Sequence, residues 1–303
     1  MEASVIVVTR DRPACIRLCL EHIQNQDYAG PFEIIVVDSS ADDKTQAVLD
    51  DFPQVIRLRL HPPRGKTNLP EARNIALREA RGEIVAFLDD DSYAHPSWLA
   101  QLMKHYQDPT VGGVGGRLID PSRPPIGEKV GYFTVSPRIH LTANFVINTG
   151  QPVDVDHLSG GTMSFRKAIL TELGGFDPHY TGGNQLEETD VCVRVKALGY
   201  RLVYEPAAVV DHLSVRSQAF RGRPGISHRF HEAKNWAYFL TKNFGVRFVI
   251  LKNIFGGYPL LRFRQFFTHP TSDTLHQAVV ILPGSLLGWV SGCAIRIRER
   301  LRP

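Results

Sequence analysis

The stretch GEIVAFLDDDSYAHPSW, residues 82–98, decides the fold. An apolar run rich in Ile, Val and Phe, bounded by Gly82 and a polar cluster, reads as a buried strand. It ends in three consecutive acids, Asp89, Asp90 and Asp91. Three carboxylates where a buried strand emerges repel one another and need hydration, so the arrangement implies a use by a cation or a helix N-terminus. Similar strands precede it: residues 4–9 (SVIVVT), 32–37 (FEIIVV) and 54–60 (QVIRLRL without its leading Pro). Helical patterns separate them at 13–24, at 45–50 and from Pro70 to the glycine at 82. Strands apolar on both faces, alternating with helices, predict an α/β fold with a mostly parallel sheet between helices. Ligands bind such sheets at the carboxyl ends of the strands. Thr9, Asp38 and Asp89 to Asp91 all stand at such ends and line a predicted crevice.

The middle of the chain reads as irregular, from VGGVGGRLIDPSRPP (111–125) through SGGTMSFRKAIL (159–170) to LGGFDPHYTGGN (173–184). A dinucleotide-binding GxGxxG must open a helix, and RLIDPSRPP after VGGVGG speaks against that role. A helix is expected over LEETDVCVRVKALG (186–199), then a strand over 200–210 that ends at Asp211 and His212. The expected division is a catalytic domain over 1–214 and a helical C-terminal region over 215–303.

Charge separates the two parts. The net charge is +4, yet residues 213–303 carry 14 Lys/Arg against three acids, or +11, leaving −7 for residues 1–212. A basic tail on an acidic body points to an anionic partner for the tail. The tail includes an amphipathic helical pattern at 227–244 and a mixed aromatic and basic segment at 246–267. It also holds an uncharged run at 278–295, interrupted by Pro283 and followed by RIRERLRP. That run is short for a bilayer span; it suits a helix lying on a membrane, a span or a buried helix, in that order. Gly284, Gly288 and Gly292 recur every four residues, a spacing that lets helices approach closely. The four cysteines form no CxxC and suit a reduced, cytosolic setting. The first residues, MEASVIVVTRDRP, lack the basic start and long apolar run of a signal peptide.

Four groups of residues can carry chemistry. Residues i and i+2 leaving a strand point the same way, so Asp89 and Asp91 can share a site while Asp90 points elsewhere. Their hard oxygens suit Mg²⁺ or Mn²⁺; the plainer reading is a solvated turn that caps a helix beginning near Pro96. Glu187, Glu188 and Asp190 open a helix, where the macrodipole favours acids, and Asp190 with Arg194 makes an expected i,i+4 pair. Glu188, beside a glycine-rich loop, is positioned to serve as a general base toward a hydroxyl. His212 ends its strand next to Asp211, and Arg73 lies one turn into the helix from Pro70, near the strand ends, where it can grip a phosphate.

These motifs together resemble a family. VIVVTRDRP, EIIVVDSSADDKT, GKTNLPEARNIALREARGEIVAFLDDD, SGGTMSFRKAILTELGGFD and LEETDVCVRVKALGYRLVYEP…DH occur in that order, over residues 4 to 212. They are similar to the family 2 inverting glycosyltransferases, with their GT-A nucleotide-diphospho-sugar fold. TRDRP stands where a Tyr-Asn pair is common, and Glu187-Glu188 where Glu-Asp is usual. The resemblance implies that Thr9, Asp11, Asp38, Arg73, Asp89, Asp90 and Gly161 bind the nucleotide sugar. It implies Asp91 and His212 as metal ligands for Mg²⁺ or Mn²⁺, and Glu188 as the catalytic base. The expected activity is transfer of a sugar from a nucleotide-diphosphate donor, UDP- or dTDP-linked, to a carbohydrate or lipid-linked hydroxyl. The expected location is the cytoplasm, in peripheral or monotopic association with the inner face of the membrane, with no nucleic acid as partner. A sugar-phosphate nucleotidyltransferase would share the sheet and acids, but TRDRPACIRL lacks the glycine-rich phosphate cradle after the first strand. A non-catalytic carbohydrate or membrane binder is the other alternative, and intact acids argue against it.

Overall fold

The computed structural model describes residues 2–60, 68–135, 139–182, 185–213, 226–245 and 272–300. The aromatic and basic segment at 246–267 and most of the loop at 61–70 lie outside the described residues. The chain forms two compact units. One comprises Met1–Phe133, Leu141–Asp177 and Val191–Ser217; the other comprises Thr134–His140, Pro178–Asp190 and Gln218–Pro303.

The first unit is built on β1 (Ala3–Thr9), β2 (Phe32–Asp38), β3 (Ile56–Arg59), β4 (Ile84–Asp89), β5 (Ser92–Ala94) and β6 (Val111–Ile119). A small ribbon, β7 (Tyr132–Thr134) with β8 (His140–Thr142), stands apart from the main sheet. β9 (Val153–Val155), β10 (Thr162–Arg166) and β11 (Arg201–His212) complete the sheet, whose order is β3-β2-β1-β4-β10-β6-β11-β5 with β9 beside β11. β1 to β4 run parallel as neighbours, as do β6 and β11, while β10 runs antiparallel between β4 and β6. Its helices are α1 (Pro13–Gln24), α2 (Lys44–Leu49), α3 (Leu69–Glu79), α4 (Trp98–Met103), α5 (Lys167–Glu172) and the greater part of α6 (Glu187–Ala197). α1 and α3 open with proline near the first helical position, where its missing N–H costs nothing. The strands are apolar on both faces because helices cover both; Ala3, Val5, Ile35, Val37, Ile84 and Val85 are all fully buried.

Two expectations need correction. VGGVGG is a regular central strand, β6, and this placement ends any nucleotide-loop reading of it. Its glycines answer a packing need: a Cβ on Gly116 would stand 2.2 Å from the Ala208 carbonyl oxygen across the β11 bulge. The acids of the opening stretch do not cap a helix at Pro96. The chain first makes β5 against the end of β11, and α4 starts at Trp98.

In the second unit, α7 (Ile226–Phe244) packs along α8 (Ser272–Arg300), which contains Pro283 and the uncharged run. Gly284, Gly288 and Gly292 of α8 lie against α7 backbone and side chains from Phe230 to Lys242, as their spacing predicted. Among the described residues no helix is long and apolar enough to cross a membrane.

Candidate active site

Register brings the site together. Thr9 pairs with Asp38 across β1 and β2, and Val8 with Asp89 across β1 and β4, so Thr9, Asp38 and Asp89 rise at one rim. β11 reaches the same rim through β5, where His212 pairs with Ser92, and the Leu213 N–H donates to the Asp91 carbonyl at 3.2 Å.

Asp89, Asp91 and His212 each bring one ligand atom, and these atoms lie within 4.8 Å of one another. Two carboxylates and an imidazole suit Mn²⁺ or Mg²⁺, with positions left for water and phosphate. Asp90 and Asp91 lie in the turn between β4 and β5, and Asp90 faces Thr9 and Arg12. Its carboxylate accepts from the Thr9 hydroxyl at 2.7 Å and from Arg12 Nη1 at 2.7 Å. Burial pushes Asp90 up to about 6, against the opposing pull of Arg12 and the Thr9 bond. Arg12 also reaches Asp91 Oδ2 at 3.0 Å, so one guanidinium bridges two buried acids.

His212 is held from its far side. Its Nδ1 lies 3.4 Å from Asp120 Oδ2 and its Nε2 3.6 Å from Asp91 Oδ1. Asp120, immediately after β6, is buried and accepts from the Ser122 hydroxyl and backbone N–H.

Arg73 is 3% exposed. Its guanidinium lies beside the edge-packed rings of Phe87 and Phe176, 5.7 and 5.4 Å from their centres, donates to the Gly160 carbonyl at 3.0 Å and reaches Asp89 at 3.6 Å. Asn74 holds Phe176 in place by exchanging two 2.7 Å hydrogen bonds with its backbone. Gly161 sits against Asp89, where an added Cβ would stand 3.0 Å from Oδ2.

Asp38 is fully buried; one oxygen accepts from the Ser40 N–H at 2.9 Å and the other from Gln46 Nε2 at 2.6 Å. Asp11 is exposed, adopts φ +54° and ties the β1 loop to the β2 loop through Ser40 and Ala41. The structure thus gathers Thr9, Arg73, Asp89, Asp90, Asp91, Gly161 and His212 at one place, with Asp38 and Asp11 on the adjoining loop.

Sequence reasoning missed Arg12 and Asp120. Arg12 had a signal, being the only base of TRDRP that a proline-opened α1 holds in place, whereas Asp120 is indistinguishable in sequence from a loop acid.

In the second unit, the first turn of α6 carries Glu187, Glu188 and Asp190. Glu187 and Asp190 are buried and Glu188 is half-buried. Asp190 accepts from Lys242 and Asn243 of α7, while Arg194 donates to the Leu173 and Gly175 carbonyls at 3.0 and 2.8 Å.

The sequence profile of glycosyl transferase family 2 matches residues 4–174, more than half of the chain. The chain belongs to glycosyl transferase family 2. Among its relatives in the family is the glucosyl-dolichyl phosphate glucuronosyltransferase of Haloferax volcanii, 27% identical over 222 residues, which cover 70% of this chain and 69% of that one. An uncharacterized protein, y4gI of Sinorhizobium fredii, is 27% identical over 239 residues; the match takes in 75% of this chain and only 26% of y4gI. The mannosyltransferase PcManGT of Pyrobaculum calidifontis, solved with GDP-Man and Mn²⁺, superposes with a TM-score of 0.58 at 19% identity, over 98% of this chain and 87% of that one. Its likeness establishes the GT-A fold of this family 2 member.

Proposed function

We propose that this family 2 member is an inverting glycosyltransferase that moves a sugar from a nucleotide-diphosphate donor, UDP- or dTDP-linked, to an acceptor hydroxyl. The observation that carries the reading is the cluster of Asp89, Asp91 and His212 at the carboxyl rim, with Asp120 behind the histidine. Asp91 and His212, with Asp89 in reach, would hold Mg²⁺ or Mn²⁺, and PcManGT was solved with Mn²⁺. Such a cation neutralises the charge that develops on a departing diphosphate. Arg73 lends a fixed positive charge to the same rim, which matters in a body with net charge −7 over residues 1–212. Thr9, Asp11, Asp38, Asp90 and Gly161 serve the nucleoside and the support of its pocket.

Glu188 is the base in this reading. Of the three acids in its turn it is the one whose side chain is not buried, which supports its being the carboxylate an acceptor meets. It takes the proton of the acceptor hydroxyl as that oxygen attacks the anomeric carbon from the side opposite the diphosphate, and a single displacement inverts the centre. A positioned base contributes roughly 10²–10⁴-fold.

The acceptor we favour is carbohydrate or lipid-linked, on a cytoplasmic membrane surface in a polysaccharide pathway. The H. volcanii relative's name specifies a dolichyl phosphate-linked substrate. The +11 tail suits anionic headgroups, and α8 exposes Leu286, Leu287 and Val290 on one stripe. Residues 215–303 are the acceptor- and membrane-side region in this proposal. The family match weighs against the nucleotidyltransferase alternative.

The test is a panel of UDP-, dTDP- and GDP-linked hexoses with Mn²⁺, following release of the nucleoside diphosphate. Turnover that chelator abolishes, that Asp91→Asn abolishes, and that Glu188→Gln loses while UDP binding persists is expected. Metal-independent turnover, or full activity in Glu188→Gln, defeats the reading. Recovery of all the protein in the supernatant after membranes are pelleted defeats the membrane part alone.

A further inference from the structure

The first turn of α6 is fastened to the C-terminal helices by a buried ion pair. Asp190 is fully buried, and Lys242 of α7 donates to its two carboxylate oxygens at 3.0 and 2.9 Å. Asn243 Nδ2 adds a bond at 2.9 Å and the Tyr180 hydroxyl another at 3.1 Å. Within the second unit the Asp190 carboxylate thus accepts from Lys242, Asn243 and Tyr180.

Lys242 is itself set in place. Its side chain is 6% exposed, its ammonium lies 5.9 Å from the centre of the Tyr238 ring, and its carbonyl accepts from Arg296 of α8 at 2.9 Å. Tyr238 packs edge-on against Tyr180 at 5.3 Å, joining the same cluster. The chain entering α6 is under strain at Leu186, a non-glycine residue at φ +73°, whose carbonyl accepts the Asp190 N–H at 2.9 Å to close the first turn. A strained turn persists only where its surroundings over-determine it, and the Lys242–Asp190 pair supplies that constraint.

We propose that Lys242, assisted by Asn243, is a positioning residue for Glu188: its ion pair with Asp190 holds the first turn of α6 so that the base two residues earlier meets the acceptor hydroxyl. The proposal rests on the reading of Glu188 as base. It makes the C-terminal region part of the catalytic apparatus, not only an anchor. A buried pair broken on one side leaves an uncompensated charge that pulls toward water, and the turn carrying it moves with it. Misplacement of a catalytic group by ~1 Å costs roughly 10²-fold in rate.

The test uses the full chain with the donor selected from the hexose panel. Lys242→Met is expected to lower kcat roughly tenfold to a hundredfold, with the KM for donor and the affinity for UDP with Mn²⁺ unchanged. Hydrogen exchange at the amides of Thr189 to Val191 should speed up in the same variant. A folded Lys242→Met protein with wild-type kcat overturns the proposal. So does a fall in kcat matched by an equal loss of UDP affinity, the mark of general damage. Should Lys242→Met fail to fold, Asn243→Ala, which keeps the ion pair, must show the same split with a smaller fall; unchanged kcat there overturns it. Glu188→Gln run alongside separates the two readings. An active Glu188→Gln removes the base and the positioning role together, whereas an inactive one beside a fully active Lys242→Met removes the positioning role alone.

Discussion

His212 Nδ1 stands 3.4 Å from the buried Asp120 carboxylate. The two residues come from the ends of neighbouring parallel strands, β11 and β6, and meet because Asp211 pairs with Ile119 in that register. Aspartate behind the imidazole fixes which nitrogen carries the proton and turns Nε2 toward Asp91, the side on which the proposed cation would bind.

Asp120→Asn should therefore weaken Mn²⁺ binding about 10–100-fold, the usual effect of losing a carboxylate behind a ligating histidine. Calorimetric Mn²⁺ titration of the nucleotide-free protein reads this directly. Affinity equal to wild type would show that the histidine needs no such support.

Arg12 predicts a second, opposite behaviour. It bridges Asp90 and Asp91 at 2.7 and 3.0 Å and is the cationic partner of two acids that are each about 5% exposed. Arg12→Met should destabilise the metal-free protein by about 3 kcal/mol, the low end for breaking a buried pair, since the arginine is one-fifth exposed. Mn²⁺ should restore more stability to the variant than to wild type, because the added cation replaces the missing charge. Denaturant unfolding with and without Mn²⁺ checks both parts, and an equal response to Mn²⁺ in the two proteins refutes the idea.

The strand ends were legible because they combine two strong signals, a run apolar on both faces and acids at its exit. Thr9, Asp38 and Asp89 to Asp91 needed no more than that and a parallel register to converge. β6 was not legible: four glycines in six residues read as irregular chain, and what explains them is tertiary packing, against Tyr200, Phe165, Leu158 and the Ala208 carbonyl in turn. The partners of Asp190 were hidden for a different reason. Local spacing offered Arg194, while Lys242 lies 52 residues away and enters only through tertiary packing. The glycines of α8, by contrast, were informative because their four-residue spacing is itself the packing geometry.

Those glycines give a third prediction. A Cβ on Gly288 would stand 2.1 Å from the Lys234 carbonyl oxygen and 3.0 Å from the Tyr238 nitrogen, both backbone atoms of α7 that cannot rotate away. An exposed helical Gly→Ala change stabilises by about 1 kcal/mol. Gly288→Ala should do the reverse and cost about 1–3 kcal/mol through overpacking. Leu287→Ala, on the exposed stripe, should stay within about 0.5 kcal/mol of wild type. Urea unfolding of both variants decides the matter, and a stabilised Gly288→Ala protein would mean that α7 and α8 do not pack this closely.

His157 sets the response to acid. It is 3% exposed, faces the Thr142 carbonyl through Nε2 at 3.2 Å, and packs edge-on against Phe145. Burial disfavours its charged form and lowers it from 6.5 to about 4. Between those values the unfolded chain binds a proton that the folded chain refuses, so stability is full above pH 6.5 and falls as pH drops toward 4. The loss over that window is about 3 kcal/mol for a shift of this size. Asp90, raised by burial to about 6, acts in the opposite sense, because its folded form holds a proton that the unfolded chain has released. Comparing wild type with His157→Gln cancels the Asp90 contribution and isolates the histidine. The variant should be less stable than wild type at pH 7.5 and should lose less stability on going to pH 4.5, as measured by denaturant midpoints at each pH. Parallel pH profiles for the two proteins would mean that His157 takes up its proton as readily in the folded chain as in the unfolded one.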